Sequence, residues 1–289
     1  MSEIITLNNA TLSLGISCLG AELVYVRAAD GEELLWYGDP KWWEGHAPLL
    51  FPICSSLKNG RYTHNGVSYA LPQHGFGKTS EFTLVEKTDD RAVFLLTDSA
   101  ETRKVYPFAF RLTVEYVLVG AAVDVTYRVE NMGDETLYYS IGAHEGFSLP
   151  EGVDAYEIVF DKTETLASCV LDGPILSHDA APIMENARTL RLKEEYFEVD
   201  ALIFEKLESR ALTLRRHSGG RAFRVEFPDF DHLLIWQPMG APFVCVEPWT
   251  GMPDYTDVSG VLAEKPYITA LPARAAKQHF HRCIFAEAE

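Results

Sequence analysis

The chain has 289 residues, of which 47% are hydrophobic and 12% aromatic, enough apolar material for a sizeable core. Its 42 acidic residues outnumber 25 lysines and arginines, which gives a formal net charge of −17. A surface of this charge repels nucleic-acid phosphates and anionic lipid, so we expect neither a nucleic-acid nor a membrane partner. The sequence contains no apolar run long enough for a transmembrane helix, and its start lacks the basic and apolar regions of a secretory signal.

Five cysteines are distributed along the chain without a CxxC spacing. Their odd number and mostly apolar neighbours favour small buried thiols over a disulfide framework or a thiol nucleophile. Together with the absence of a signal, this pattern predicts a cytoplasmic protein with reduced cysteines. The five are Cys18, Cys54, Cys169, Cys245 and Cys283.

Apolar and polar residues alternate with a period of two along most of the chain, which is typical of half-buried antiparallel strands. The clearest runs, 110–118 and 123–129, are separated by a Gly-Ala pair at 120–121 that predicts a hairpin. Further short strands are predicted at 3–7, 11–16, 22–28, 82–86, 91–97, 136–141, 156–160, 211–215, 222–227, 232–236, 243–247 and 276–285.

Signals for helices are few. Short helices are predicted at 39–44, with Asp39 as N-cap, and at 193–196. The segment 162–190 is the least periodic, and we interpret it as a long excursion over one face of the sheets. Since no Pro/Ser/Gly-rich linker divides the chain, we predict a single all-β domain over residues 1–289, a large antiparallel β-sandwich with few short helices.

Two histidines lie between glycines, His74 in LPQHGFGK and His144 in YSIGAHEGF. Glycine-rich bends at strand ends let a side chain stand clear of a sheet and let a ligand approach the backbone. Imidazole is the natural acid–base group near neutral pH, which makes both residues candidates for proton transfer. From spacing alone, a turn histidine bonded to a local carbonyl remains an alternative.

Glu247 follows an apolar run in FVCVEPW, where a partly buried carboxyl group would have a raised pKa and suit a general base. A glutamate at a solvated strand end is the alternative. Trp236 and Trp249 flank this region, and their indole rings could stack on a sugar or fill the core. Cys245 shares the sheet face of Glu247, and we interpret it as a packing residue.

His279 and His281 form an HxH pair on a late strand. Two histidines on one face could bind a metal, but no third ligand lies at a supporting spacing, so a solvated or capped strand is favoured. We therefore predict neither a metal nor a cofactor. The motifs GxSxG, GxxxxGK[ST], HExxH and GxGxxG do not occur, which disfavours hydrolase, nucleotide-binding and zinc-protease chemistry.

Seven segments in consistent order resemble the aldose 1-epimerase (galactose mutarotase-like) family, in particular its shorter bacterial branch. They are GAELVYVR, LFPI with LKNGRY, LPQHGFGK, YSIGAHEGF, DALIFEKL, LLIWQP and FVCVEPWTGMPD. The resemblance covers about residues 10–285. It implies the galactose mutarotase-like supersandwich with an open cleft, and the interconversion of the α and β anomers of an aldose by an isomerase that needs no cofactor.

The resemblance also implies roles for four residues. His144 corresponds to the general acid and Glu247 to the base, while His74 and, by a weaker match, Asp200 correspond to sugar-binding residues. In this chemistry we expect the acid and base on opposite sides of the C1–O5 unit. Because the two motifs lie about a hundred residues apart, their strands must be neighbours in the sandwich.

The chain departs from the branch at three positions. Ser56 and Lys78 stand where arginines are usual, and Glu145 stands where proline is usual. A lysine is a point charge and cannot replace the bidentate fork of arginine. We predict Lys78 and Trp236 as further sugar-binding residues and a free aldose as substrate; a hexose-6-phosphate 1-epimerase and a catalytically silent sugar-binding protein are the alternatives. The cations that could form a phosphate site are Lys58, Arg61, Lys78 and Arg103.

Overall fold

Twenty β-strands form within residues 2–287, the part of the chain that this computed structural model describes. Every strand predicted from the period-two pattern is present. The strands are β1 Ile4–Asn8, β2 Leu12–Ser17, β3 Glu22–Ala28, β4 Arg61–His64, β5 Val67–Ala70, β6 Thr83–Lys87, β7 Arg91–Thr97, β8 Phe110–Val119, β9 Ala122–Asn131, β10 Leu137–Tyr139, β11 Glu145–Ser148, β12 Tyr156–Asp172, β13 Ile175–Arg191, β14 Ala201–Phe204, β15 Ala211–Arg216, β16 Arg221–Glu226, β17 His232–Trp236, β18 Phe243–Trp249, β19 Thr269–Leu271 and β20 Ala276–Glu287.

Helices are short. Residues 2–287 contain one α-helix, α1 (Ala100–Val105). Its N-cap is Ser99, whose hydroxyl group accepts a hydrogen bond from the Thr102 amide in a capping box. The helix predicted at 193–196 is present as a 3₁₀ turn. The helix predicted at 39–44 is wrong: the cap forms, but only one turn follows. The 3₁₀ turns are Lys58–Gly60, Gly77–Thr79, Val153–Ala155, Glu194–Phe197 and Leu262–Glu264.

Two antiparallel sheets pack face to face and enclose the core. The larger has nine strands in the order β13-β12-β15-β16-β20-β9-β8-β7-β6, and the smaller has four in the order β11-β18-β17-β14. Phe147 of β11 packs against Phe223 and Phe285 of the larger sheet, with ring centroids 5.1 and 6.1 Å away. The predicted all-β antiparallel class is confirmed, and the other face of the smaller sheet is left free to form a cleft.

The segment 162–190 differs from its prediction. It belongs to β12 and β13, two strands of 17 residues each that pair as a hairpin at the end of the larger sheet. Several register shifts between Val159 and Leu171 disrupt the alternation, which hides the strands in the sequence. The tip of this hairpin reaches the cleft.

Within the described residues, no helix is both long and apolar enough to cross a bilayer. All five cysteines lie in this part of the chain and are free thiols.

Candidate active site

The free face of the four-stranded sheet forms the floor of a cavity of about 860 Å³. Because side chains alternate along a strand, two alternate residues from each of β14, β17 and β18 reach this floor: Ala201 and Ile203, Leu234 and Trp236, and Glu247 and Trp249. The walls come from the loops around residues 43–48 and 73–79 and from the tip of the β12–β13 hairpin. All six site residues predicted from the sequence line the cavity: His74, Lys78, His144, Asp200, Trp236 and Glu247.

His144 and Glu247 are in direct contact at the base of the cavity. Nε2 of His144 lies 3.2 Å from Oε2 of Glu247, and the two residues are only 8% and 2% exposed. His144 immediately precedes β11, and β11 pairs with β18, which carries Glu247. The prediction that these distant segments lie on neighbouring strands is confirmed, and this pairing is what brings the two side chains together.

Burial controls the protonation of this pair. It lowers the pKa of His144 to about 3, and the charge of Lys78 acts in the same direction. It raises the pKa of Glu247 well above its usual range, and the carboxyl groups of Asp200 and Glu145 add to that effect. The imidazolium form of His144 is therefore a strong proton donor, and the carboxylate form of Glu247 is a strong acceptor.

His74 occupies a tight turn with φ of 66°, and its Nδ1 atom accepts a hydrogen bond of 3.1 Å from the Ser55 amide. For His74, the alternative of a bond to a local carbonyl is therefore wrong. Gly75 follows with φ of 68°, and a Cβ atom there would lie 2.3 Å from the Phe51 carbonyl oxygen, so glycine is required. Burial lowers the pKa of His74 well below its usual range, so the neutral ring carries its proton on Nε2 as a donor.

Three tryptophans surround the two histidines. Trp43 stacks on the His144 ring at a centroid distance of 5.0 Å, and Trp236 meets the same ring edge-on at 5.7 Å. Trp249 lies against His74 at 5.5 Å. Trp43 was not predicted as a site residue, because its DPKWWE segment was interpreted as a helix; the adjacent tryptophans were the signal that could have identified it.

Asp200 and Lys78 are less buried. Asp200 is exposed just before β14, where partial desolvation raises the pKa of its carboxyl group and a hydrogen bond from Trp236 opposes that rise. Burial lowers the pKa of Lys78, against the opposing charge of Glu22. Among the described residues, Lys78 is the only lysine or arginine that lines the cavity. The carboxyl groups that line it are those of Glu22, Glu44, Asp200 and Glu247.

The other cations proposed for a phosphate site lie elsewhere. The ammonium group of Lys58 donates to the Thr256 carbonyl oxygen at 2.7 Å, and Arg103 pairs with Asp98 at 2.6 Å. Neither these two nor Arg61 lines the cavity. Of the four candidate cations, the structure therefore brings only Lys78 to the cavity, and the cluster that the sugar-phosphate alternative requires does not form.

His279 and His281 are core residues, and the prediction of a solvated strand is wrong. They are 1% and 0% exposed and face inward from β20. Nε2 of His279 lies 2.8 Å from the Tyr139 hydroxyl group, and Nε2 of His281 lies 2.8 Å from Oε1 of Glu145. Each histidine thus makes a hydrogen bond to another strand through the core.

The fold, with its cleft on the free face of the smaller sheet, is that of the galactose mutarotase-like class. The chain belongs to the aldose 1-epimerase family, whose model matches residues 3–264. Among curated proteins it is similar to Protein LacX of Lactococcus lactis subsp. lactis, in both its plasmid and chromosomal forms. The identity is 33% over 291 aligned positions, which cover 96% of this chain and 97% of the relative.

Two solved structures are similar over nearly their full length. A galactose mutarotase related enzyme from Lactobacillus acidophilus has 33% identity and a TM-score of 0.92, covering 98% of this chain and 97% of that one. A galactose mutarotase-like protein from Lactobacillus casei ATCC 334 has 28% identity and a TM-score of 0.93, covering 98% and 100%. These similarities establish family and fold and support a role in carbohydrate chemistry.

Proposed function

We propose that this protein is a mutarotase that interconverts the α and β anomers of a free aldose by acid–base ring opening. The observation that carries the proposal is the contact of 3.2 Å between His144 and Glu247 on the floor of an open cavity. Family membership supports a sugar as the substrate. The surrounding indole rings offer flat apolar surfaces of the kind that pack on the C–H side of a pyranose.

In ring opening, the Glu247 carboxylate removes the proton from the C1 hydroxyl group while the His144 imidazolium protonates O5. The C1–O5 bond breaks and C1 becomes the carbonyl carbon of the open-chain aldehyde. Burial favours the neutral imidazole and the protonated carboxyl group in the empty site, so the reactive ion pair must form as the sugar binds. Once formed, it transfers both protons readily, because burial makes the donor more acidic and the acceptor more basic. Each positioned proton-transfer group contributes about 10²–10⁴-fold to the rate.

In ring closure, the two groups exchange roles. Ring opening leaves Glu247 protonated and His144 neutral, which is the arrangement that burial favours. Rotation about C1–C2 turns the other face of the carbonyl group toward O5. His144 then accepts the O5 proton while Glu247 returns a proton to O1, and the pair regains its starting protonation as the other anomer forms.

The contact between acid and base changes one expectation. The sequence-based prediction places them on opposite sides of the C1–O5 unit, whereas in the structure they touch. We therefore propose that the sugar replaces this contact with two hydrogen bonds, one to O1 from Glu247 and one to O5 from His144. These two oxygens share a carbon atom, so neighbouring groups can reach both. His74 donates from Nε2, and Asp200 binds a hydroxyl group near the opening.

The charges of the cavity support a free aldose over a sugar phosphate. A phosphate dianion is normally bound by several arginines, lysines or backbone amides. Here four carboxyl groups and a single lysine line the described cavity. A phosphate would therefore enter an anionic site with one cation available.

The test is anomer exchange, followed by polarimetry after dissolving pure α-glucose or α-galactose, with the spontaneous rate subtracted. Glucose 6-phosphate is the parallel substrate, Glu247→Gln the test variant and the exposed Glu86→Gln the matched control. We expect acceleration by wild type and Glu86→Gln, and a kcat lower by about 10²–10⁴-fold for Glu247→Gln. A higher kcat/KM for the phosphate would favour the hexose-6-phosphate epimerase, and sugar binding without exchange would favour the silent binder.

We also propose a cytoplasmic location, consistent with five free thiols. Thiol titration of denatured, unreduced protein from its native cells should count five. A count of one would indicate two disulfides and an oxidising compartment.

A further inference from the structure

A thiol lies beside the acid–base pair. Cys245 is two residues before Glu247 on β18, so both side chains project from the same face of the sheet. One ligand atom each from His144, Cys245 and Glu247 lies within 4.8 Å of the other two. All three residues are buried, and two of them line the cavity.

This donor set suits one class of ligand. A thiolate, an imidazole nitrogen and a carboxylate oxygen are the three ligand types that Zn²⁺ takes in proteins, usually in tetrahedral geometry. Bonds of about 2.0–2.3 Å place tetrahedral zinc ligands about 3.3–3.8 Å apart. Nε2 of His144 and Oε2 of Glu247 are already 3.2 Å apart, so it is mainly the sulfur that must approach.

We propose that Zn²⁺ binds to His144, Cys245 and Glu247 and thereby inhibits the protein. On binding, the Cys245 thiol and the Glu247 carboxyl group each release a proton to solvent, and sulfur, Nε2 and a carboxylate oxygen each donate an electron pair to the metal. Water from the cavity takes the fourth position. The metal occupies the two atoms that transfer protons, so the inhibition rests on the proposed function, whereas the binding does not.

A second cluster in the core serves as an internal comparison. Glu145, His281 and Cys283 also place one ligand atom each within 4.8 Å of one another. All three are at most 4% exposed, and none lines the cavity. The Glu145–His281 hydrogen bond of 2.8 Å already joins two of the ligand atoms. Because none of these residues reaches the cavity, a metal would have to cross the packed core, so no metal is proposed there.

The binding test uses Co²⁺ as a coloured substitute for Zn²⁺. A cobalt–thiolate bond gives a charge-transfer absorption band, which reports sulfur ligation without any need for catalysis. We expect one equivalent of Co²⁺ to produce this band in wild type and in Cys283→Ser, and Zn²⁺ to remove it. Cys245→Ser should lack the band while retaining the circular dichroism spectrum of wild type. A band that persists in Cys245→Ser, or no band in wild type, would overturn the proposal.

The inhibition test measures anomer exchange against Zn²⁺ concentration. We expect wild type and Cys283→Ser to be inhibited alike, and Cys245→Ser to need at least about tenfold more Zn²⁺, because one of three ligands is lost. Without metal, Cys245→Ser should retain wild-type activity, since the thiol takes no part in proton transfer. Equal inhibition of Cys245→Ser would overturn the proposed mode of inhibition. A wild type that binds cobalt through sulfur but has no epimerase activity would overturn the proposed function alone.

Discussion

Two histidine–glutamate pairs lie on opposite faces of the same four-stranded sheet. His144 contacts Glu247 at 3.2 Å on the cleft side, and His281 bonds Glu145 at 2.8 Å on the core side. Both pairs are almost fully buried. One opens onto a cavity of about 860 Å³, while the other lies between the two sheets, and no residue of that second pair lines the cavity.

Because both pairs consist of a histidine and a glutamate, it is their surroundings, and not their residue types, that make one a candidate for catalysis and the other a core contact. His144 and Glu145 are consecutive, yet they project to opposite faces because side chains alternate along an extended chain. The cleft pair has a cavity into which a substrate can bring its own oxygens. The core pair has only itself, so its hydrogen bond contributes to holding the layers together. Variants of each pair should therefore fail in different ways.

The largest expected effect comes from the cleft pair. Glu247→Gln retains the shape of the side chain but cannot accept a proton, so kcat should fall by about 10²–10⁴-fold. His144→Asn should cause a similar loss, and the double variant should lose less than the product of the two because both groups act in one event. Polarimetry with Glu86→Gln as control measures these ratios. A wild-type rate for Glu247→Gln would remove this residue from the mechanism.

Glu247→Gln should also be more stable than wild type at neutral pH. The carboxyl group of Glu247 has a pKa of about 4.5 in the unfolded chain and a higher pKa in the folded protein. Above pH 4.5 the unfolded chain releases a proton that the folded protein still holds, so the free energy of unfolding falls as the pH rises. Glutamine has no such cost, so Glu247→Gln should unfold at higher urea concentration than wild type at pH 7. The advantage should shrink toward pH 4. Lower stability than wild type at pH 7 would contradict the raised pKa.

Variants of the Glu145–His281 pair should lower the free energy of unfolding. Glu145→Leu leaves His281 buried without its partner, and breaking a buried pair in this way typically costs about 3–5 kcal/mol. Urea unfolding measures the loss. Adding His281→Leu should recover much of it, because an apolar pair needs no partner. If Glu145→Leu kept wild-type stability and lost 100-fold or more in kcat, the distinction between the two faces would be wrong.

Acid should destabilise the protein through histidines of both regions. Burial lowers the pKa of His144 to about 3 and that of His279 to about 4, both from 6.5. Below pH 6.5 the unfolded chain therefore binds protons that the folded chain does not, and stability falls by up to about 1.4 kcal/mol per pH unit for each group. His279→Gln should reduce this slope between pH 6 and 4.5. An unchanged slope in His279→Gln would contradict the lowered pKa of His279.

The smallest effect is expected at the cavity wall. Lys78→Met removes one hydrogen-bond donor from a partly exposed position, which corresponds to about 0.5–1.5 kcal/mol, or about a 2–10-fold rise in KM for the sugar. The value of kcat should change little, because Lys78 donates no proton in the reaction. Steady-state kinetics with the exposed Lys104→Met as control separates the two constants. A loss confined to kcat would move Lys78 into the proton-transfer step.

The sequence predicted the titratable residues of the cavity better than its aromatic and hairpin parts. His74, His144 and Glu247 stand in glycine-flanked or apolar motifs that mark them locally, and all three line the cavity. Trp43 lies in an irregular loop, so no periodic pattern indicated its stack on His144. The hairpin of β12 and β13 was missed because bulges interrupt the alternation of its side chains.

The sequence by itself determined the class of fold, because alternation with a period of two is a local property that can be recognised without knowing which strands pair. It also determined which titratable residues are candidates for the active site, since glycine, apolar and aromatic residues are their neighbours in the sequence. Only the tertiary structure decided which strands pair, and hence that β11 and β18 bring His144 to Glu247. It also decided that His279 and His281 lie in the core, since burial depends on the layer that packs against a strand.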